Sequence, residues 1–255
     1  MKERVVVKIV LALLFCSPGW SAAYARVKCT PDMVQSGPTC MDKYEASVWR
    51  IPNPLDANKG LVKKVQNGKV TIDDLTAGGA TRLNDNYAPC ENDGRNCLHE
   101  VYAVSIVGVQ PSELITWFQA QQACKNSQKR LPTNAEWQAA AAGTPGEVDC
   151  GSGSFTAGLT GGRSGCFSAD GAYDMAGNVL EWVADWMPLS TACPGWGSFS
   201  NDSQCFAGAD TTSTAGPGAL VRGGRFSGGF SVGPLNVGTV RVTAEAFDIG
   251  FRCAR

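Results

Sequence analysis

A single histidine, His99, sets the limits of the chemistry open to this 255-residue chain. One imidazole excludes every multi-histidine metal site and leaves a Ser/His or Cys/His scheme with one candidate base. His99 lies between Cys97 and Glu100, in a cysteine-bounded loop where a solvated side chain is expected. The thiols are more informative. Eleven cysteines occur, none in a C-x-x-C pair, and ten remain once Cys16 is assigned to a leader segment. An even set of cysteines in an exported chain favours disulfides over zinc ligands. Short spacings suggest Cys29 with Cys40, Cys90 with Cys97, Cys150 with Cys166 and Cys193 with Cys205, each closing a segment rich in Gly, Pro, Asn, Asp or Ser. Cys124 and Cys253 then remain, although spacing alone does not fix connectivity.

Export is read from the first 25 residues. Lys2 and Arg4 precede an apolar run from Ile9 to Phe15, and Ala23-Tyr24-Ala25 has the small-x-small form of a signal-peptidase site. The run is too short for a membrane span, which needs about 20 apolar residues. Residues 26–255 are then one mature, mildly acidic domain, with no internal repeat and no low-complexity linker. Charged residues make up only 18% of the chain against about 25% in ordinary globular domains, and 30 glycines point to a loop-rich, ordered structure. Lys+Arg (22) and Asp+Glu (23) nearly balance and no basic run stands out, so nucleic acid is not an expected partner.

The elements that position these residues follow from periodicity. Residues 101–107 read as a strand. A helix is expected from Pro111-Ser112 to about Gln128, with Leu114, Trp117, Phe118 and Cys124 near one face. Thr133-Asn134-Ala135-Glu136 is a capping box that opens a second helix, running through Ala139–Ala142 and ending at Gly143. Leu220-Val221-Arg222 and Gly250-Phe251-Arg252 read as late strands. Trp117, Trp137, Trp182 and Trp186 are expected in the core. The class is α+β.

Several motifs occur in a recognisable order: Lys43-Tyr44-Glu45-Ala46, Ile115-Thr116-Trp117, the run from Lys129-Arg130-Leu131-Pro132-Thr133 to Trp137, Asp174-Met175-Ala176-Gly177-Asn178 through Trp182, Val221-Arg222-Gly223-Gly224 and Gly250-Phe251-Arg252-Cys253. The sequence from about Met41 onward resembles the sulfatase-modifying-factor family, founded by the formylglycine-generating enzyme. The resemblance implies a C-type-lectin-like fold with two helices, a central twisted sheet and long loops, and it implies a Cys124–Cys253 disulfide. It also implies a structural calcium held by the Asp174 and Glu181 carboxylates and the Gly177 and Val179 carbonyls, hard oxygen donors of the kind calcium takes. Catalytic members bind copper through two cysteines after the R-G-G element. Here Gly228 and Gly233 stand at those positions, and glycine offers copper(I) no soft ligand. Another branch uses a histidine-rich iron site, which one histidine cannot build.

The C-terminus, residues 222–255, carries a further likeness. Arg222-Gly223-Gly224, Gly233-Pro234-Leu235 and Ile249–Arg255 resemble the frame of the variable region in proteins diversified by retroelements, which use the same lectin-like fold as a binding platform. Between these points lie Arg225, Phe226, Ser227, Phe230, Ser231, Asn236, Arg241, Glu245, Phe247 and Asp248. Aromatic and Arg anchors among adaptable polar groups suit a recognition surface for a protein or glycan ligand. The competing expectation is an ordinary loop and two strands with Phe226 and Phe230 in the core. Two functions follow: an exported, retroelement-diversified binding protein, or an oxidoreductase of the sulfatase-modifying type acting on an exported polypeptide through a non-standard site.

Overall fold

Phe251, Arg252, Cys253 and Ala254 are all buried, so the end of the chain runs through the molecule rather than over it. The computed structural model describes residues 27–146, 150, 155–188, 217–226 and 232–255. Residues 1–25, expected to be a leader, and Cys193, Cys205, Ser227, Gly228, Phe230 and Ser231 lie outside the described residues.

The C-terminal strand β9 (Ile249–Phe251) pairs in parallel with β6 (Leu180–Pro188), Leu180 facing Ile249 and Trp182 facing Phe251. β6 pairs antiparallel with β7 (Pro217–Arg222), and β7 with β8 (Val237–Arg241), giving a sheet in the order β8-β7-β6-β9. Past β9 the backbone exchanges hydrogen bonds with two other segments. The Asp42 amide donates to the Cys253 carbonyl, Ala254 bonds both ways with Arg130, and Arg255 bonds both ways with Cys40. The terminus therefore joins the hairpin of β1 (Met33–Ser36) and β2 (Thr39–Asp42) to the centre of the chain. A second sheet, β4-β3-β5, consists of β3 (Ala46–Arg50), β4 (Thr81–Leu83) and β5 (Tyr102–Ser105).

Four helices cover these sheets among the described residues, two more than the resemblance implies. α1 (Lys59–Gln66) buries Leu61, Val62 and Val65, and α2 (Ile72–Ala77) opens on a Thr71–Asp74 capping box. α3 (Trp117–Asn126) starts later than the sequence suggests, because Thr116 caps it: its hydroxyl accepts from the Gln119 amide and the Gln119 side chain accepts from the Thr116 amide. The stretch before it is non-helical, with left-handed Leu114, and is tied down by Ser112, whose hydroxyl donates to the Leu83 carbonyl (2.6 Å) and accepts from the Val48 amide (2.8 Å). α4 (Asn134–Ala140) opens on the expected Thr133–Glu136 box and ends before left-handed Gly143. Gly177 also has a positive φ, and a side chain there would stand 2.4 Å from the Cys150 carbonyl oxygen.

The largest core joins β3 and β5, α3 and the four-stranded sheet through Val48, Ala103, Ala120, Trp182, Val221 and Phe251. Trp137 and Trp182 are fully buried, whereas Trp117 and Trp186 are only half-buried and meet edge to face at 5.2 Å. Four disulfides form among the described cysteines: Cys29–Cys40, Cys90–Cys97, Cys124–Cys253 and Cys150–Cys166. Cys124–Cys253 spans 129 residues and fastens α3 to the terminal strand. Long closed loops restrict the unfolded chain most, so replacing both cysteines by serine is expected to cost about 2–5 kcal/mol in chemical denaturation. An unchanged midpoint would show that the closure is carried by packing alone.

Candidate ligand-binding face

The face is built over a buried ionic lattice. Arg252 is fully buried and holds Glu181 through two contacts, Nη2 to Oε1 at 2.5 Å and Nε to Oε2 at 2.7 Å. Its guanidinium also donates to the Asp42 carbonyl (3.1 Å) and the Tyr173 carbonyl (2.8 Å), while the Trp137 indole donates to Glu181 Oε2 (2.6 Å). Glu45 completes the lattice by accepting from the Val179 amide (3.1 Å) and the Asn178 side chain. Burial, and then the charges of Asp174 and Glu181, raise the Glu45 carboxyl well above the usual range, with Arg252 opposing. Nearby, Lys129 is paired with both Asp32 and Asp42 at 2.5 Å. Burial pushes the Asp42 carboxyl up to about 6 against the pull of that ammonium.

On this base sit β8 and the segment that follows it. The Val242 and Ala246 carbonyls accept from the Trp117 and Leu114 amides, and the Asp248 carbonyl accepts from Leu180, so the segment is pinned to the start of α3 and to β6. Outward from these anchors the structure places Arg225, Arg241, Glu245 and Phe247 on the surface, with Asn236 half-buried. Glu245 lines a cleft of about 620 Å³ together with Asp85, Glu91, Asn92 and Gln119.

Two residues expected at the surface are inside. Phe226 is buried against Ala157 and Val179, so its ring supports the face from below, and it meets the Phe247 ring at 6.1 Å. Asp248 is also buried and pairs with Arg225. Its carboxylate is turned inward and holds the Arg225 guanidinium. As well as Phe247 at 59%, the structure exposes Leu235 at 79% and Val237 at 53%. Sequence reasoning passed over both, taking Leu235 as part of the fixed frame. Their i, i+2 spacing at the entry to β8 was the available signal.

Glu113 lies below the face. Its Oε1 is buried with no hydrogen-bond partner among the described residues, and burial followed by the Asp248 charge pushes its carboxyl up to about 7, with Arg82 opposing. The Tyr87 hydroxyl donates to its backbone carbonyl at 2.6 Å.

The eight described cysteines are all in disulfides, and Gly233 has no side chain to offer, so the described residues do not fit copper. Of the two carboxylates expected around calcium, Asp174 accepts from the Gly161 amide at 2.6 Å, and both Glu181 oxygens are engaged by Arg252 and Trp137. A calcium ion on Glu181 would have to displace a buried guanidinium. His99 lines a separate cleft of about 460 Å³ with Leu55, Leu98 and Glu100, away from these residues.

The arrangement of sheets, helices and terminal strand is a C-type-lectin-like fold. Residues 88–158 and 147–255 match the sulfatase-modifying factor enzyme 1-like domain, and the chain belongs to that family. Among solved structures it is similar to the U1 variant of Major Tropism Determinant (TM-score 0.51, 16% identity, 88% of this chain and 52% of that one). The P3c variant is alike (TM-score 0.50, 17% identity, the same shares). Among curated proteins, the serine/threonine-protein kinase pkn1 of Chlamydia pneumoniae is 41% identical over 81 residues, 28% of this chain and 13% of the kinase. The chain thus spans about an eighth of the curated relatives it matches.

Two measurements test this electrostatic reading. Glu113 binds more protons in the folded than in the unfolded state, so its contribution to stability is present below about pH 4.5 and is lost as pH rises through about 7. Thermal melts of the native protein and Glu113→Gln are expected to differ by an amount that changes across this interval, and a constant difference would refute the assignment. Calcium in excess over chelator is expected to leave the melting temperature unchanged, because Glu181 is already paired. A clear upward shift would show that an ion enters the lattice.

Proposed function

We propose that this chain is an exported ligand-binding protein whose lectin-type scaffold presents residues 225–248 to a protein or glycan ligand. The observation that carries this reading is the contrast between the two halves of the segment. Within this segment Phe226 and Asp248 are buried, while Leu235, Val237, Phe247, Arg225, Arg241 and Glu245 are exposed. Exposed apolar side chains rimmed by charged ones mark interaction sites, and aromatic and Arg anchors dominate binding energy in such sites. Export is supported by the leader-like first 25 residues and by the disulfides, which persist in oxidising compartments. Among the described residues no helix is long and apolar enough to cross a membrane.

In its most specific form the reading makes this chain a retroelement-diversified receptor. The C-terminal likeness and the fold shared with variants of Major Tropism Determinant both support that form. Sequencing the 3′ coding end across a population is expected to find substitutions concentrated between positions 225 and 248. A uniform distribution along the gene would oppose it. The oxidoreductase reading rests on family membership, and no described residue set supplies its metal.

Paired stability and binding measurements decide where the binding energy lies. Phe247→Ala and Arg241→Ala are each expected to weaken binding to a ligand recovered by surface-display screening by about 1–4 kcal/mol, with melting nearly unchanged. Phe226→Ala removes a buried ring and is expected to cost about 3–5 kcal/mol of folding free energy. Unaltered affinity in the two surface variants would overturn the assignment.

A further inference from the structure

The four-stranded sheet ends on β8, a strand with a neighbour on one side only. β8 pairs with β7 from Val237, opposite Arg222, to Arg241, opposite Gly218. From Val237 to Val240 its backbone is hydrogen-bonded to no backbone other than that of β7 among the described residues. At 5 residues β8 is the longest edge strand described, and every position along it is exposed or half-buried. The other edges are treated differently. β9, on the far side of the same sheet, is buried throughout, as are β2 and β5, while β4 has only 3 residues with Arg82 at its centre.

An open edge carries amides and carbonyls without partners, and proteins ordinarily blunt one with charge, proline or a bulge. The run Val-Gly-Thr-Val from position 237 has none of these, and its register with β7 is unbroken. The first charge is Arg241, at the end of the strand. It is exposed and makes no ion pair among the described residues. Side chains alternate along a strand, so Val237, Thr239 and Arg241 share one face of the sheet.

We propose that β8 takes up an extended segment of a protein ligand as a further strand of this sheet, with an acidic side chain of that segment opposite Arg241. The inference rests on the reading of residues 225–248 as the binding face, and it names the ligand of that face as a polypeptide. The edge calls for a molecule that repeats donors and acceptors at the strand spacing of about 3.4 Å per residue, which a peptide backbone does and a glycan does not. In strand addition the main-chain bonds supply affinity and alternate side chains supply specificity. A second copy of β8 fits less well, because Val-Gly-Thr-Val-Arg holds no acid to set against Arg241. Opposite charges facing each other across a strand pair stabilise it, and like charges destabilise it. Val237, exposed at the start of the strand, offers the incoming segment an apolar contact on the same face.

Titration calorimetry on the full mature chain tests this with acetyl-Glu-Val-Glu-Val-Glu-Val-Glu-amide, which carries all its acids on one face when extended. The controls are the same peptide with lysine for glutamate and a scrambled order of the same residues. The alternating acidic peptide is expected to bind about fivefold or more tighter than either control, and Arg241→Glu to reverse the preference towards the lysine peptide. N-methylation of the valines alone or the glutamates alone blocks one edge of the peptide in each case. One modification is expected to weaken binding about tenfold or more and the other less than about twofold. Near-ultraviolet circular dichroism checks that Arg241→Glu is folded, and the methylated peptides test the native chain itself. The β8 amides directed away from β7 are expected to gain protection from hydrogen exchange when the acidic peptide is added. The proposal is overturned if that peptide does not bind, if the scrambled order binds equally, if the two methylations act alike, or if protection appears only outside β8. Dimers of the free chain that the peptide does not dissociate would assign the edge to a second copy and also overturn it. The ligand recovered by surface-display screening separates this inference from the reading beneath it. If Phe247→Ala and Arg241→Ala weaken that ligand while no peptide pairs with β8, strand addition fails and the binding face stands. If neither substitution weakens it, both fall.

Discussion

The bidentate pair between Arg252 and Glu181 is the interaction on which the rest of the molecule depends. Both side chains are essentially inaccessible, so each would carry a cost of several kcal/mol in desolvation without its partner. Every contact that repays this cost comes from a different part of the chain: the Asp42 carbonyl in β2, the Tyr173 carbonyl, and the Trp137 indole in α4. One guanidinium, three residues from the terminus, thereby registers the hairpin, the central loop, a helix and the large sheet against one another. A buried pair is weak evidence of net stability compared with an apolar core. Its geometric demands nevertheless specify one arrangement of these segments.

The same lattice explains the electrostatics around it. Glu45, Asp174 and Glu181 lie around a single buried guanidinium; burial raises the Glu45 and Asp174 carboxyls, the neighbouring carboxylates add to it and Arg252 opposes it. Asp42 escapes part of this penalty through Lys129. With the interior fixed in this way, the segment from β8 to Phe247 is tied down by backbone hydrogen bonds at Leu114, Trp117 and Leu180. Of its side chains, Val240 and Ala246 pack on the core and Phe247 meets Phe226, while Arg241 and Glu245 point to solvent. On the proposed binding function, this separation of backbone frame from outward side chains is what would let recognition chemistry change without changing the fold.

Much of this was legible in the sequence because it is written in local or strongly typed signals. The Thr133–Glu136 box, the short cysteine loops and the terminal Gly-Phe-Arg-Cys run each mark a defined structure, and the motif order carried the family and the fold. The misses have physical causes. α1 and α2 escaped notice because each is short, although Leu61, Val62 and Val65 form an apolar face and Thr71 with Asp74 form a capping box. α3 was extended too far towards its N-terminus, since Ser112 suits a helix start locally but serves as a bridge between β3 and the end of β4. Phe226 and Asp248 were placed with the surface residues because composition does not report which way a side chain points. Their burial depends on Ala157, Val179 and Arg225, which sequence reading did not bring together with them. The engagement of Glu181 was equally hidden, because Arg252 lies 71 positions away.

The central claim is that the terminal strand and its ionic lattice form a frame more stable than the segment proposed to bind. Native-state hydrogen exchange resolved to single amides tests it most directly, because local and global openings are separated by their free energies. The Cys253 and Ala254 amides, bonded to Asp42 and Arg130, should exchange only through global unfolding, while amides between positions 236 and 247 should exchange through openings of lower free energy. Equal protection of the two sets, or earlier opening of the terminal strand, would contradict the account.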